Sequence, residues 1–254
     1  MSISLYSGTP GSYKSYHAVS DILSWLSWGK NVIANFPVKY DTYFKPKKLA
    51  KLGSFNFVRN TDLTVEYLIT YAKKHHKAGI KPQTLVVFDE ASIKFNARQF
   101  DNADRMEWIN FFANHRHFNF EVILIAQNDR MLDRQVRGLI EYDYKHRALK
   151  NMNFATFLIS LVCRGLFRVV ELWYPCRQIT NVNICRFNIK KARCYDTMAL
   201  FVGGKDEKKD TAGGESIKTV RKKIERIKIN REGGKENDSD SGEVSEAPPD
   251  KETA

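Results

Sequence analysis

Tyr6-Ser-Gly-Thr-Pro-Gly-Ser-Tyr-Lys-Ser15 follows a short apolar lead, Ile3-Ser4-Leu5-Tyr6, and precedes a run with Ala18, Ile22, Leu23 and Leu26 on one helical face. Strand, glycine-bearing loop and helix, in that order, are the context of a phosphate-binding loop. Glycines let backbone N–H groups turn toward phosphates, and the helix N-terminus adds a partial positive charge. The candidate nucleotide-binding residues are therefore Gly8, Thr9, Pro10, Gly11, Ser12, Tyr13, Lys14 and Ser15. Lys14 is placed to reach terminal phosphates and Ser15 to hold Mg²⁺. Tyr13 stands where G-x-x-x-x-G-K-[ST] has its last glycine, so a side chain must fit the loop at a steric cost unless its angles are ordinary. The competing interpretation is a Gly/Ser turn with an incidental lysine.

A second segment fits the same chemistry. Thr84-Leu-Val-Val-Phe-Asp89-Glu90 is a continuous apolar run ended by two carboxylates, as expected of a central parallel strand buried on both faces. Ligands bind beyond the C-terminal ends of such strands. Asp89 is the candidate Mg²⁺ holder, through water, and Glu90 the candidate base for an attacking water; a solvated strand end is the plain alternative. A third strand, Glu121-Val-Ile-Leu-Ile-Ala126, delivers Gln127 and Asn128 to that edge. Gln127 is a candidate γ-phosphate sensor or water-positioning amide, or else a turn former.

Around these lie further predicted elements. Strands are expected over Asn31–Phe36 and Phe55–Val58, with Asp41–Leu52 a loop or short helix. Asn60-Thr61-Asp62 supplies capping residues for a helix with Leu63, Leu68, Ile69 and Ala72 inward, ending near Gly79. Arg105–Phe118 reads as a helix whose end, Asn114-His115-Arg116-His117, is basic. Its two histidines fall on different faces, which argues against a shared metal and for a structural or phosphate-facing role. Alternating strand and helix with chemistry at strand ends gives an α/β three-layer fold with a mostly parallel central sheet. From Ile140 the chain reads as a β-rich extension, with strands over Phe167–Tyr174 and Thr180–Ile189 and a turn around Pro175.

Charge divides the chain. The net +12 conceals a tail, Glu232 to Ala254, at −6 and a body at +18, pointing to nucleic acid or an anionic membrane surface as partner. Residues 1–200 form the expected domain, 201–231 a basic amphipathic linker, and 232–254 a disordered acidic tail. In the linker, Ile217, Val220, Ile224 and Ile227 share a stripe among lysines and arginines, suited to an anionic membrane, nucleic acid or a partner helix. Phe154–Cys163, the most apolar stretch, is half the length of a spanning helix. Cys163, Cys176, Cys185 and Cys194 form no C-x-x-C pair, and no signal peptide is read at Met1, as expected of reduced thiols in a cytosolic protein.

Taken together, Tyr6–His17, Val87-Phe-Asp-Glu90, His115-Arg-His117, Glu121–Gln127, Asp133-Arg-Gln-Val-Arg137 and Cys194-Tyr-Asp-Thr197 resemble the zonular occludens toxin (Zot) family over residues 1 to 200. These are the assembly ATPases of filamentous bacteriophages. The resemblance implies a P-loop ATPase using ATP and Mg²⁺ on the cytoplasmic side of the host membrane, peripheral to its inner face. It implies a homo-oligomeric ring that drives coat-protein exchange around single-stranded phage DNA during extrusion, with phage coat and assembly proteins as partners. A ring motor takes an arginine from a neighbouring subunit; Arg116, Arg134 and Arg137 are the candidates. The pattern departs from the family at Tyr13, and in lacking the membrane-spanning helix and outer domain that usually follow.

Two other functions compete with a motor whose catalytic residues would be Lys14, Glu90 and Gln127. A nucleotide-dependent scaffold would bind ATP with DNA or coat protein and hydrolyse little, consistent with Tyr13. A simple DNA-binding protein accounts for the charge but not for the loop and carboxylate pair.

Overall fold

The computed structural model describes residues 1–77, 79, 82–96, 98, 102–151 and 165–195. The strands are β1 (Ile3–Ser7), β2 (Asn31–Ala34), β3 (Phe55–Phe57), β4 (Thr84–Phe88), β5 (Phe120–Ile125), β6 (Tyr142–Ala148), β7 (Leu166–Trp173) and β8 (Gln178–Arg186). They form one sheet in the order β3-β2-β4-β5-β1-β6-β7-β8. The first six run parallel, with Leu5 opposite Leu124 and Val86 opposite Val122. The last two turn back antiparallel. β1 and β4 are buried at every position, as continuous apolar runs require when both faces are covered.

Helices cover the two faces. On one, α1 (Lys14–Ser27) buries Ala18, Ile22, Leu23 and Leu26 in a core shared with Val32, Val87, Ile125 and Leu49 of α2 (Pro46–Leu49). On the other, α3 (Val65–His75) and α5 (Asn102–Asn114) join α4 (Ala91–Lys94) and α6 (Arg134–Gly138) around an aromatic centre. There Phe88 meets Phe95 and Trp108 edge to face at 5.3 and 5.6 Å, geometry that adds about 0.5–1.5 kcal/mol per pair beyond area burial. A short α7 (Ile189–Ala192) packs on α1.

Several elements differ from the expectations. α3 begins at Val65, because the side chain of Thr64 accepts the N–H of Tyr67, while Asn60 bonds Asn35 instead of capping. It ends at His75, short of Gly79. α5 spans Asn102–Asn114; beyond it His115 Nδ1 contacts the Phe112 carbonyl at 2.6 Å and the chain turns through Asn119 at φ 60°. β6 falls within the β-rich extension expected from Ile140, but its own span is not marked by the sequence, since its buried positions include Asp143 and His146, which break apolar alternation. Strands β7 and β8 match the extension with their ends shifted by one to three residues. Phe154–Cys163, the linker and the tail lie outside the described residues. Among the described residues no helix is long and apolar enough to cross a membrane, and Cys176, Cys185 and Cys194 are free thiols.

Candidate nucleotide site

The loop between β1 and α1 is held in a conformation that its sequence makes difficult. Gly8 has φ 143°, and a Cβ there would sit 2.4 Å from the His146 carbonyl oxygen, so strand β6 passing beneath the loop admits only glycine. Tyr13, the residue before the helix, adopts φ 72° and ψ 23°, the left-handed region. For a non-glycine this costs about 1–3 kcal/mol. Its ring stacks on Phe167 at 5.1 Å and leans on Phe187 at 5.6 Å. The antiparallel extension thus holds the loop by the side chain that stands in place of glycine, and these contacts offset the strain.

Polar groups complete the support. Ser7 Oγ donates to Asp143 at 2.6 Å, and His17 Nδ1 and His146 Nε2 lie 2.8 Å apart. Burial first, then His17, push the His146 imidazole down to about 3, so it stays neutral under the loop. Tyr6 donates to Asp21 at 2.6 Å.

Lys14 Nζ folds back onto the loop, donating to the carbonyls of Gly8 at 2.8 Å and Thr9 at 3.1 Å. Burial lowers its pKa, and the nearby Glu90 and Asp89 oppose the shift. Ser15 Oγ donates to Asp89 Oδ1 at 3.2 Å. Asp89 itself is 4% exposed and tied from three sides. Its N–H donates to Asn35 Oδ1 at 2.6 Å, its carbonyl accepts from Asn35 Nδ2 at 2.8 Å, and its Oδ2 accepts from the Tyr195 hydroxyl at 2.8 Å. Glu90 turns through φ 48°, also left-handed, ahead of α4. Strain of this kind at a strand end marks a residue aimed by its surroundings. Burial, then the Asp89 charge, raise the Glu90 pKa, while Lys14 pulls it down.

Strand order explains the convergence. β5 lies between β1 and β4, so exposed Gln127 follows it in the gap between the loop and the carboxylates. The Gln127 carbonyl accepts the Gly8 N–H at 3.2 Å. Asn128 caps the turn over Asp129–Met131 through the Arg130 N–H.

The arginine candidates are scattered. Arg116 precedes β5, at the opposite edge of the sheet, and forms an ion pair with Glu141 ahead of β6. The phosphate-facing role considered for His115–His117 is therefore corrected within this subunit: His115 is buried at that far edge. Arg134 is exposed at the start of α6, while Arg137 Nε is buried without a hydrogen-bond partner. Asp133 caps that helix through the N–H groups of Gln135 and Val136 and accepts Arg105 at 3.1 Å, a structural role.

Asn35 and Tyr195 have no site role in the sequence-based expectations, where Tyr195 enters only as part of Cys194-Tyr-Asp-Thr197. Asn35 at the end of an apolar strand was a visible signal, whereas Tyr195 lies 106 residues from Asp89 and only the fold joins them. The residues present fit Mg-nucleotide. Ser12 Oγ is buried without a partner inside the loop, and a hydroxyl–carboxylate pair suits a hard cation.

A glycine-bearing loop entering a helix, a strand-end carboxylate pair and a parallel sheet with β5 between them define the chain as a P-loop NTPase in fold. Comparison agrees: a DnaB-like replicative helicase superposes with a TM-score of 0.51 at 11% identity, over 75% of this chain and 56% of that one. The chain belongs to the Zonular occludens toxin (Zot) family, whose profile matches residues 2–165. It is similar to the Gene 1 protein of Enterobacteria phage I2-2, 28% identical over 169 residues, 65% of this chain and 46% of that protein. The Gene 1 protein of Salmonella phage IKe is 27% identical over the same shares. The chain thus spans about half the length of the curated relatives it matches.

Proposed function

We propose that the chain binds ATP with Mg²⁺ and hydrolyses it as the motor domain of filamentous phage assembly and extrusion. The observation carrying this is the meeting of Lys14, Ser15, Asp89, Glu90 and Gln127 at one sheet edge, around a loop with a buried, unpartnered serine hydroxyl. Family membership and likeness to phage Gene 1 proteins support the assembly role. ATP supplies the phosphoryl group and Mg²⁺ the charge that neutralises it. Lys14, released from the Gly8 and Thr9 carbonyls, holds the terminal phosphates. Ser15 and Asp89 hold the metal, directly or through water. Glu90 takes the proton of the attacking water, and Gln127 orients that water. Arg134, exposed beyond Gln127, is the best placed of the three arginines to serve a neighbouring subunit in a ring. Phosphate release from Mg-ATP, with and without single-stranded DNA, tests the proposal; no release under either condition would overturn it. The scaffold alternative draws on Tyr13, whose ring contacts restrain the loop.

Tyr195 positions Asp89 in this scheme. Tyr195→Phe keeps the ring and removes the hydrogen bond, so we expect weaker apparent Mg²⁺ affinity in turnover, with half-maximal rate at several-fold higher Mg²⁺, and little change in nucleotide affinity without metal. Titration of turnover with Mg²⁺ checks this; an unchanged midpoint would remove Tyr195 from the site.

Phage coat and assembly proteins and single-stranded DNA are the proposed macromolecular partners, and the host cytoplasm, at the inner face of the membrane, the proposed location. Residues 1–200 are the ATPase domain in this proposal, and 201–231 the segment that meets anionic lipid. Seven basic residues between Lys218 and Arg231 each contribute about 1 kcal/mol near such a surface. Co-sedimentation of the full chain with anionic liposomes is expected to fall with salt and to weaken on truncation after Gly204. Equal binding by the truncated chain would place attachment in the body instead.

A further inference from the structure

The face built from the C-terminal half of α1, α2 and α7 takes no part in the chemistry above. Ser24 lies ten residues beyond Lys14 along α1, roughly 15 Å from the loop at the helical rise. A groove of about 450 Å³ opens there, lined by Ser24, Tyr43, Phe44, Lys45, Lys48 and Lys191 among others. We infer that this groove is a binding site for single-stranded nucleic acid, contacting its phosphates through Lys45, Lys48 and Lys191 and its bases through Tyr43 and Phe44.

Charge is the first support. Between Lys30 and Thr61 the chain carries seven basic residues and one acid, Asp41. Lys45, Lys47, Lys48 and Lys51 are exposed, and among the described residues none of them is in an ion pair. Such a cluster is self-repelling until an anion neutralises it. Lys191 approaches from α7, its Nζ donating to Ser20 Oγ at 2.6 Å, so α2 and α7 present cations from two separate parts of the chain.

The rings are the second support. Tyr43 and Phe44 stand edge to face, 5.1 Å apart at 83°, and both are half-buried in the groove. Nearby Trp28 is 66% exposed, with Lys30 Nζ 5.8 Å from its ring. Aromatic faces interleaved with lysines match an unpaired strand, whose bases are free to stack and whose phosphates are evenly spaced. A duplex hides its base faces. A bilayer is matched less well, because the rings lining the groove are recessed, whereas interfacial anchors must project into the headgroup layer.

Fluorescence anisotropy of a labelled oligothymidylate of about 20 nucleotides tests the inference, using the full chain without nucleotide over roughly 50 to 300 mM salt. The measurement is independent of hydrolysis, and Lys14→Ala should bind the strand like wild type. Lys45→Glu with Lys48→Glu should weaken binding at least about tenfold and lower the log–log salt slope by roughly 1.4, about 0.7 per lost phosphate contact. Lys73→Glu with Lys74→Glu, the same charge change on α3 across the sheet, should have a clearly smaller effect. Tyr43→Leu should weaken binding while leaving the slope unchanged, because stacking releases no counterions. Equal losses in the two double variants, or no loss in the first, would overturn the assignment. Loss of co-sedimentation with phosphatidylglycerol/phosphatidylcholine vesicles, with oligothymidylate affinity intact, would reassign the groove to lipid.

Discussion

Replacing Lys14 with alanine is expected to reduce ATP turnover by on the order of 10²–10³-fold or more, the scale seen when one preorganised donor to a developing charge is removed. Lys14 is the cation aimed into the loop, and its amine rests on the Gly8 and Thr9 carbonyls. Those contacts give a half-buried charge two hydrogen-bond acceptors. The fold should survive, because the side chain is absent from both apolar cores, and thermal unfolding of the variant should stay close to wild type. Turnover is read as phosphate release and binding with a fluorescent ATP analogue. Wild-type turnover in Lys14→Ala would refute the loop assignment, whatever the state of the other residues.

Glu90→Gln is expected to separate binding from hydrolysis. The amide keeps the size of the side chain and its left-handed turn but cannot accept a proton, so ATP should bind and hydrolysis should fall about 10²–10⁴-fold. A pH profile adds a second readout. Burial and the neighbouring Asp89 charge raise the Glu90 pKa, and the base must be ionised to work. Wild-type turnover should therefore decline as pH falls through that raised value, at a higher pH than a free glutamate would give. The residual activity of Glu90→Gln should lack this acidic limb. A wild-type turnover number would assign the proton to another group. Tyr13→Gly belongs beside this test: it frees the loop from Phe167 and Phe187, and faster turnover would show that the ring restrains the site.

Much of this architecture was legible along the chain. Buried parallel strands announce themselves as unbroken apolar runs, so β1, β4 and β5 and the residues at their ends could be found without coordinates. The loop before α1 was readable because glycine, lysine and serine at that spacing serve one purpose. Local signals also located α1 and the two strands of the extension. What they could not supply was anything resting on a partner distant in sequence. β6 was not legible because Asp143 and His146 are buried polar residues, made acceptable there by partners distant in sequence, Ser7 of the neighbouring strand and His17 of α1. The same limit applies to Tyr13, whose left-handed backbone is tolerated because Phe167 and Phe187 pack on its ring. Arg116 looked equal to Arg134 until strand direction put it at the far edge of the sheet. Tyr195 reached Asp89 only when the chain after β8 crossed α1 and paired with Val38. Periodicity and spacing record the interactions a residue makes with its neighbours in sequence. The anchoring of Asp89, the seating of Tyr13 and the lysines gathered from α2 and α7 are contacts across the fold, and tertiary packing alone decided them.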